Sequence, residues 1–446
     1  MDTHLRSNLS ILCLLLIITI AYSQQDPYNW TKPIDVQANE IFLIWQENEG
    51  ANVYQKIYNY KIDSTFLGRD SLVRAKPRQK DNRGGAGTYA DAASGRFNED
   101  PYDDVISIWA SKSGLNIMLP QFDSTKAMWT NAIKDSINKD VQADRIYTRT
   151  GNFDDDEFDE FIIAYLDAED SVHFDLYDVD QDLQPILISG FCENIVLAKP
   201  ANIQFIRYFI ESGDLNGDGM DELILFSVQQ SWTAEYIPVT IKIYDFSTKP
   251  FESKAETVFP VYKLVAGSVL QDYLMAAVAG NFKTDEKEEI FFVANRKTPD
   301  PGRYAYSHVI EAVDNLDSII IGARHLMSQT GNTFSELSLA SGDLNNDGRD
   351  EAVYVSSNRF YILAANDDLT NTDAYNGGVQ NSGSGDYTQS YNFIKVADIN
   401  QDGREDIIIV KNFVNTGYPD GFFVAMVPVN DDLEPDDILY LSLIHI

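Results

Sequence analysis

Short apolar stretches separated by polar turns run through most of the chain, and this pattern predicts strands rather than helices. Residues 172–177 and 239–244 are examples, with β-branched and aromatic side chains between polar ones. Residues 223–226 and 407–410 are continuous apolar runs of strand length. Only residues 124–139 resemble an amphipathic helix, and this segment is ambiguous. We therefore predict an all-β fold.

An acidic sequence recurs directly before several of the apolar runs. Three near-identical copies occupy residues 213–222, 342–351 and 397–406, and the first reads Gly-Asp-Leu-Asn-Gly-Asp-Gly-Met-Asp-Glu. We number each loop from its first acidic residue, Asp214 in the first copy. Oxygen-bearing side chains then fall at positions 1, 3, 5 and 9, and glycine falls at position 6. Closely spaced carboxylate and amide oxygens are donors that Ca²⁺ prefers, so the loops predict calcium sites.

The predicted ligands are the side chains at positions 1, 3, 5 and 9 and the backbone carbonyl at position 7. They are Asp214, Asn216, Asp218, Met220 and Glu222 in the first loop, Asp343, Asn345, Asp347, Arg349 and Glu351 in the second, and Asp398, Asn400, Asp402, Arg404 and Asp406 in the third. A helix–loop–helix site would need glutamate at position 12, where this chain has Leu225, Tyr354 and Ile409. The loops are therefore predicted to close at position 9, between two strands. One copy alone would also suit a solvated acidic turn, but three copies with the same flanks favour metal.

Weaker copies follow the same numbering. Residues 152–160 form a predicted fourth site, with Asn152, Asp154, Asp156, the Phe158 carbonyl and Glu160 as ligands, although Glu157 replaces the glycine of position 6. In residues 281–289, Lys283 stands at position 3, and its ammonium is predicted to repel the ion. In residues 96–104, Arg96 stands at position 1 and Pro101 at position 6, so this hairpin is predicted to be empty.

Six copies about 60 residues apart form an internal repeat. A unit of this size fits four antiparallel strands, which is one blade of a β-propeller. Residues 90–440 are predicted to contain six such repeats. Residues 24–89 carry strand-like runs at 40–45 and 54–60 without an acidic loop, and we interpret them as a partial seventh blade.

The acidic segments resemble FG-GAP/VCBS repeats, the calcium-loop repeats of the integrin α-subunit head and of many secreted proteins. The resemblance covers roughly residues 90–429, and it is close in three copies. It implies a seven-bladed β-propeller with Ca²⁺ in hairpin loops on one face. The family is broad in function, so the resemblance alone does not assign one.

The two ends of the sequence have features of their own. Residues 1–23 are predicted to be a signal peptide, because Arg6 precedes an apolar run at 11–20 that is too short to span a bilayer. The mature chain is then exported and contains one cysteine, Cys192, which we predict to be buried or, alternatively, to form an intermolecular bond. Residues 441–446 resemble translated adapter sequence, so a closing strand, an anchor or a further domain could be missing there.

Composition excludes some classes of function. The formal net charge is −35, which disfavours binding to a nucleic-acid backbone. No HExxH, GxSxG or phosphate-cradling glycine loop is present in the sequence, so we expect no enzymatic activity. The segment 366–389 and the aromatic pair Trp232 and Tyr236 are candidate recognition elements, with passive loop or packing roles as the alternatives.

These features together predict a secreted or cell-surface binding module of the adhesion type, with structural Ca²⁺ at three or four sites. Its expected partner is an extracellular protein or glycan, without nucleic acid and without a membrane span in this sequence. Two alternatives remain open. One is a secreted, Ca²⁺-dependent enzyme acting on polysaccharide, and the other is a fragment of a larger surface protein.

Overall fold

The computed structural model describes side chains over most of the chain between residues 91 and 435, and it gives the strands alone elsewhere. The residues described with side chains are 91–99, 104–108, 115, 117, 119, 146–154, 156–167, 169, 171–180, 184–193, 208–228, 237–246, 253–261, 275–285, 287–294, 305–313, 315–327, 337–355, 359–377, 393–399, 403–410 and 425–435. The elements so described are all strands. The described part of the chain contains no helix with the length and apolarity needed to cross a membrane.

Hydrogen bonds join the strands into seven antiparallel sheets, each built from consecutive strands. The first three sheets contain β1 (Leu12–Thr19), β2 (Glu40–Gln46), β3 (Val53–Tyr60) and β4 (Phe66–Arg69); β5 (Ala90–Gly95), β6 (Asp104–Ser111), β7 (Gly114–Asp123) and β8 (Met128–Ile137); and β9 (Tyr147–Gly151), β10 (Glu160–Leu166), β11 (Val172–Val179) and β12 (Pro185–Glu193).

The remaining four sheets continue in chain order. They contain β13 (Tyr208–Gly213), β14 (Glu222–Val228), β15 (Tyr236–Asp245) and β16 (Glu252–Tyr262); β17 (Tyr273–Gly280), β18 (Glu289–Arg296), β19 (Arg303–Val313), β20 (Ser318–Ile321) and β21 (His325–Gln329); β22 (Ser338–Gly342), β23 (Glu351–Ser356), β24 (Arg359–Ala365) and β25 (Asn371–Gly378); and β26 (Gln389–Ala397), β27 (Asp406–Val414), β28 (Gly421–Val427) and β29 (Leu439–His445). In the fifth sheet, β20 and β21 both pair with β19.

The first strand of one sheet lies beside the first strand of the next, from β5 through β9, β13, β17 and β22 to β26. Side-chain hydroxyls join these strands: Thr150 Oγ1 donates to the Ser94 carbonyl over 2.6 Å, and Ser212 Oγ donates to the Thr150 carbonyl over 2.9 Å. First strands that contact their counterparts on both sides must be the innermost strands of a radial arrangement. The chain is therefore a β-propeller, as predicted.

The predicted number of blades is not confirmed. Hydrogen bonds define seven sheets, but five blades are recognised in the propeller rather than seven. The side chains of β1–β4 lie outside the described residues, so the packing of the N-terminal sheet against its neighbours is not described at side-chain level.

Side-chain burial decreases from the second strand of a sheet to its outermost strand. Every residue of β10 and β14 is buried, because the second strand of a sheet is covered by a neighbouring sheet on each face. Phe226 on β14, for example, stacks on Phe209 of its own sheet and on Phe292 of the next, with ring centroids 4.5 and 5.9 Å apart. The outer strand β12 is mostly exposed or half-buried. Apolar cores thus lie between adjacent sheets and fix the angle at which each hairpin leaves the centre.

Some expectations from the sequence need correction. Residues 128–137 of the ambiguous segment form the strand β8 and no helix. Cys192 is exposed rather than buried, because it lies on the outer strand β12. Residues 441–445 belong to β29, which pairs with β28, and the origin of this tail stays a prediction.

The predicted signal segment also contributes a strand. Residues 12–19 form β1 and pair with β2, so the N-terminal sheet has four strands in the whole chain, of which residues 24–89 supply β2, β3 and β4. The apolar, partly β-branched run satisfies the requirements of a strand as well as those of an export signal. Export itself stays a prediction.

Candidate metal centre

Each acidic loop connects the first strand of a sheet with the second. In every copy the residue before position 1, which we call position 0, pairs with position 9 across the hairpin. The pairs are Gly95 with Asp104, Gly151 with Glu160, Gly213 with Glu222, Gly280 with Glu289, Gly342 with Glu351 and Ala397 with Asp406. The predicted closure at position 9 is therefore confirmed. Because equivalent residues of the first strands lie side by side, all six hairpins emerge on the same face of the propeller.

The glycine at position 6 is required by the backbone. Gly219, Gly348 and Gly403 have φ angles of 89, 86 and 90°, a region that disfavours residues with a Cβ atom. In the first loop this turn brings the Gly219 N–H to Asp214 Oδ2 at 2.9 Å. The Gly348 N–H donates to Asp343 Oδ2 in the same way, also at 2.9 Å. The loop thus folds around the carboxylate of position 1.

Position 9 holds a buried carboxylate in each described hairpin. One oxygen accepts the N–H of position 2, as in Glu222 from Leu215 at 2.9 Å and Glu160 from Phe153 at 2.7 Å. Burial, reinforced by the neighbouring carboxylates of the loop, raises the pKa of Glu222 to about 9 and the pKa of Glu160 to about 8. A cation among these groups would oppose both effects, because it favours the ionised carboxylate.

The 152–160 hairpin holds one of the two groups of described carboxylates whose oxygens lie close enough together to share a metal ion. Ligand oxygens of Asp154, Asp156 and Glu160 all lie within 4.8 Å of one another. Two oxygens bound to one Ca²⁺ at about 2.4 Å can be at most roughly 4.8 Å apart, so the separation fits. Glu160 is fully buried, and its Oε1 atom has no hydrogen-bond partner. A buried oxygen of this kind needs a donor or a cation.

The two closest sequence copies are arranged differently. In the 214–222 hairpin, Asn216 Nδ2 donates to Asp218 Oδ2 at 3.0 Å and to Glu222 Oε1 at 2.9 Å, so an amide group links these carboxylates. Asn345 Nδ2 similarly donates to Asp347 Oδ2 at 3.1 Å. The amide oxygen of Asn216 accepts the Asp218 N–H at 2.8 Å, so coordination of a cation by this oxygen would require the amide to turn away from that N–H.

The 398–406 hairpin is described only in part. Asp398 Oδ2 accepts the Gly403 N–H at 3.0 Å, and Asp406 is buried. Asn400 and Asp402 lie outside the described residues. The predicted carbonyl ligands Met220, Arg349 and Phe158 share one feature, since each donates its N–H to the carboxylate at position 5. Metal coordination by all of these residues stays a prediction.

The 281–289 hairpin contains a second group of close carboxylates, Asp285, Glu289 and Glu311. Lys283 Nζ lies between them, at 3.3 Å from Asp285, 3.7 Å from Glu289 and 2.8 Å from Glu311. Burial opposes the charge of Lys283, but Glu311 and Glu289 outweigh burial and raise the pKa of the ammonium. The Lys283 ammonium therefore lies among carboxylates and supplies the positive charge that a metal ion would supply in the other hairpins. Glu311, on β19, was missed in the sequence because its contact is not local.

Position 8 is a further missed feature. The Asp221 N–H donates to the Asn152 carbonyl at 2.7 Å, and Asp221 Oδ2 accepts the Asn152 N–H at 3.0 Å. Asp221 thus holds position 1 of the hairpin in the preceding sheet. An available sequence signal was the pair of adjacent acidic residues at positions 8 and 9.

An ion network joins three innermost strands near the centre of the propeller. Arg149 on β9 donates to both oxygens of Glu211 on β13 at 2.9 and 2.6 Å, and its other nitrogen lies 3.5 Å from Asp91 on β5. Burial raises the pKa of Asp91 to about 6, although Arg149 opposes the rise. This arrangement ties adjacent sheets together and places two carboxylates close to one guanidinium.

Cys192 and His173 form no activated nucleophile. His173 Nε2 lies 2.7 Å from Asp167 Oδ2 and 3.7 Å from Cys192 Sγ, so one ring nitrogen faces both groups. A relay would need the carboxylate and the thiol on different ring nitrogens. Partial desolvation, together with the negative charges of Asp167 and Glu193, raises the pKa of the exposed Cys192 thiol.

Comparison with known proteins identifies no family. No model of a known protein family matches the chain, and no curated protein matches it. Among solved structures, the chain is similar to a protein from Lactobacillus plantarum, with a TM-score of 0.48, 10% identity, and coverage of 88% of this chain and 91% of that one.

Two further similarities are to a mutant of AofleA from Arthrobotrys oligospora and to the Nup133 β-propeller domain of Vanderwaltozyma polyspora. The AofleA comparison has a TM-score of 0.45 and 8% identity, covering 80% of this chain and 87% of that one. The Nup133 comparison has a TM-score of 0.41 and 11% identity, covering 90% of this chain and 97% of that one. With TM-scores below 0.5, these similarities carry no argument about function.

Proposed function

We propose that the protein is a calcium-stabilised β-propeller of the FG-GAP/VCBS type that acts as a binding or adhesion module. The observation that carries this proposal is the 152–160 hairpin, where the unpartnered oxygen of buried Glu160 lies beside Asp154 and Asp156. Calcium would hold the hairpins closed and would offset the repulsion among their carboxylates. The same hairpin recurs on one face, so calcium would rigidify a continuous surface.

Export and ligand type belong to the same proposal. The apolar N-terminal run supports a cleaved leader, and extracellular Ca²⁺ is abundant enough for weak sites of this kind. The net charge of −35 favours an extracellular protein or glycan as partner over nucleic acid.

The finer prediction of seven blades is also part of the proposal. Its support is the division of the strands into seven sheets and, in the chain before the leader is removed, the position of β1, which contacts both β26 and β5. The N-terminal sheet then lies between the last sheet and the second sheet. We infer that seven sheets in this order would close a ring.

The test is thermal unfolding of the purified protein in Ca²⁺ and in chelator, together with metal analysis by mass spectrometry. We expect three or four Ca²⁺ ions for each chain and a clear fall in the unfolding temperature on chelation, since an ion that binds only the folded state adds stability. Mg²⁺ is the control, because it prefers six-coordinate sites with retained water. Absence of bound calcium together with an unchanged unfolding temperature would show that the loops are ordinary acidic turns.

A second candidate is a polysaccharide-acting enzyme, and it is favoured by the central network alone. Asp91 combines a raised pKa of about 6 with a position near the propeller centre, as a general acid would require. Turnover on a panel of glycans that is lost in Asp91→Asn, with calcium binding unchanged, would support this candidate. We place it second because Arg149 already engages Asp91 and Glu211.

A further inference from the structure

A row of five carboxylates links consecutive hairpins on one face of the propeller. Each stands at position 8 of its own hairpin and lies against the backbone of position 1 in the hairpin before it. The five residues are Asp159, Asp221, Glu288, Asp350 and Glu405.

The contact has two hydrogen bonds and the same geometry at successive junctions. The Glu288 N–H donates to the Asp214 carbonyl at 2.8 Å, and Glu288 Oε2 accepts the Asp214 N–H at 3.1 Å. Asp350 holds Asn281 in the same manner, with distances of 2.7 and 2.9 Å. Position 1 is a predicted calcium ligand, so the following hairpin grips the backbone from which that ligand projects.

The glycine at position 0 leaves room for this contact and for the neighbouring first strand. A Cβ atom at Gly213 would overlap the carboxylate of Glu288 and the Cβ of Ala279, and one at Gly342 would overlap Glu405 and Val396. Neither glycine is in the left-handed region, so close approach is the reason for glycine here. The exception is Ala397, which takes the place of the glycine in the sixth hairpin.

We propose that the position-8 carboxylates Asp221, Glu288 and Glu405 are positioning residues for the proposed calcium sites of the hairpins before them, so that each of these sites depends on the hairpin that follows it. This inference rests on the proposed function. A partner behind a metal ligand orients it, and loss of such partners typically weakens metal binding about tenfold or more.

Two hairpins allow a crossed test. Glu288 belongs to the hairpin that carries Lys283 and reaches the calcium hairpin 214–222. Asp350 belongs to the calcium hairpin 343–351 and reaches the hairpin that carries Lys283. Coupling to the preceding hairpin therefore predicts a calcium effect for Glu288→Ala and none for Asp350→Ala. An effect confined to a residue's own hairpin predicts the reverse.

The measurement is hydrogen–deuterium exchange of the whole protein over a Ca²⁺ titration, read in the peptides that cover residues 213–222, 280–289 and 342–351. In Glu288→Ala, protection of 213–222 should need about tenfold more Ca²⁺, while 342–351 titrates as in the wild type. Glu288→Gln keeps an acceptor oxygen and should restore most of the affinity. In Asp350→Ala, exchange should increase in 280–289 without any change in the calcium midpoints.

The results distinguish a failure of the calcium proposal from a failure of the coupling between hairpins. If the wild type shows no calcium-dependent protection, the proposed function is wrong, and exchange of 213–222 in chelator still tests the grip of Glu288. If Ca²⁺ protects the wild type and residues 213–222 of Glu288→Ala become protected at the same Ca²⁺ concentration as in the wild type, the proposed coupling is wrong. Should Glu288→Ala fail to fold, Glu288→Ser also removes the carboxylate, keeps a polar side chain and should give the same shift.

Discussion

Glu160 is the single residue on which the calcium proposal depends most directly. It is fully buried, and one of its oxygens has no hydrogen-bond partner. We expect Glu160→Gln to lower the calcium stoichiometry by one or to weaken that site at least about tenfold. Glu157→Gln is the matched control, because Glu157 is exposed on the same hairpin and has no predicted ligand role. Equal calcium binding in Glu160→Gln and the wild type would remove the main support for a site there.

Lys283 decides whether its hairpin can bind metal. We expect Lys283→Asn, which restores the residue type of position 3, to destabilise the protein in chelator by roughly 1–3 kcal/mol, since buried carboxylates lose a charged partner. The same variant should bind one additional Ca²⁺. Lys287→Asn removes an equal charge from the same hairpin and is the control. Unchanged stoichiometry in Lys283→Asn would mean that the lysine is not what excludes the ion.

His308, on strand β19, is expected to make the stability of its sheet depend on pH. Its Nδ1 lies 2.9 Å from the Gly322 carbonyl, which can only accept, so Nδ1 carries the hydrogen. Nε2 is buried without a partner, and the ring packs edge-on against Phe259 and Tyr306. Burial, with the nearby charge of Arg324, lowers the pKa of His308 below its ordinary value.

A lowered histidine pKa means that the folded state disfavours the proton. This contribution to stability is therefore complete above the unfolded pKa of about 6.5 and is lost as the pH falls below it. We expect the wild type to lose stability between about pH 7 and pH 5 relative to His308→Asn, which cannot titrate but can still donate to Gly322. Parallel stability curves from denaturant unfolding at each pH would contradict this assignment.

Elements with local determinants were the ones that the sequence predicted well. The hairpins were predicted because their turn glycines and predicted ligands lie within nine consecutive residues. The partner of Lys283, Glu311, lies on another strand, and the grip of Glu288 on Asp214 crosses between sheets. Such contacts depend on how blades pack, which no short pattern contains. The strand β8 was ambiguous for a related reason, because pairing with β7 determines its conformation.

In the whole molecule, strand β1 is part of both the proposed leader and the proposed ring of blades. Removal of residues 1–23 would take β1 away and leave the edge of β2 unpaired. We expect the chain 24–446 to keep its calcium stoichiometry but to unfold at a lower temperature than the chain 1–446. It should also associate through the open edge. Calorimetry and sedimentation of both forms would check this, and identical behaviour would show that β1 adds nothing to the ring.

The contact between position 0 and position 8 has a consequence for how such a ring can be lengthened or rebuilt. In a blade with glycine at position 0 and an acid at position 8, the acid contacts the preceding hairpin and the glycine leaves room for the acid of the following one. Such a blade can therefore be followed by another blade of its kind. The sixth hairpin has the acid alone, since Ala397 takes the place of the glycine. A blade grafted after it would need Ala397→Gly before the two could meet. The residues at positions 0 and 8 therefore determine whether one acidic hairpin can pack against the next.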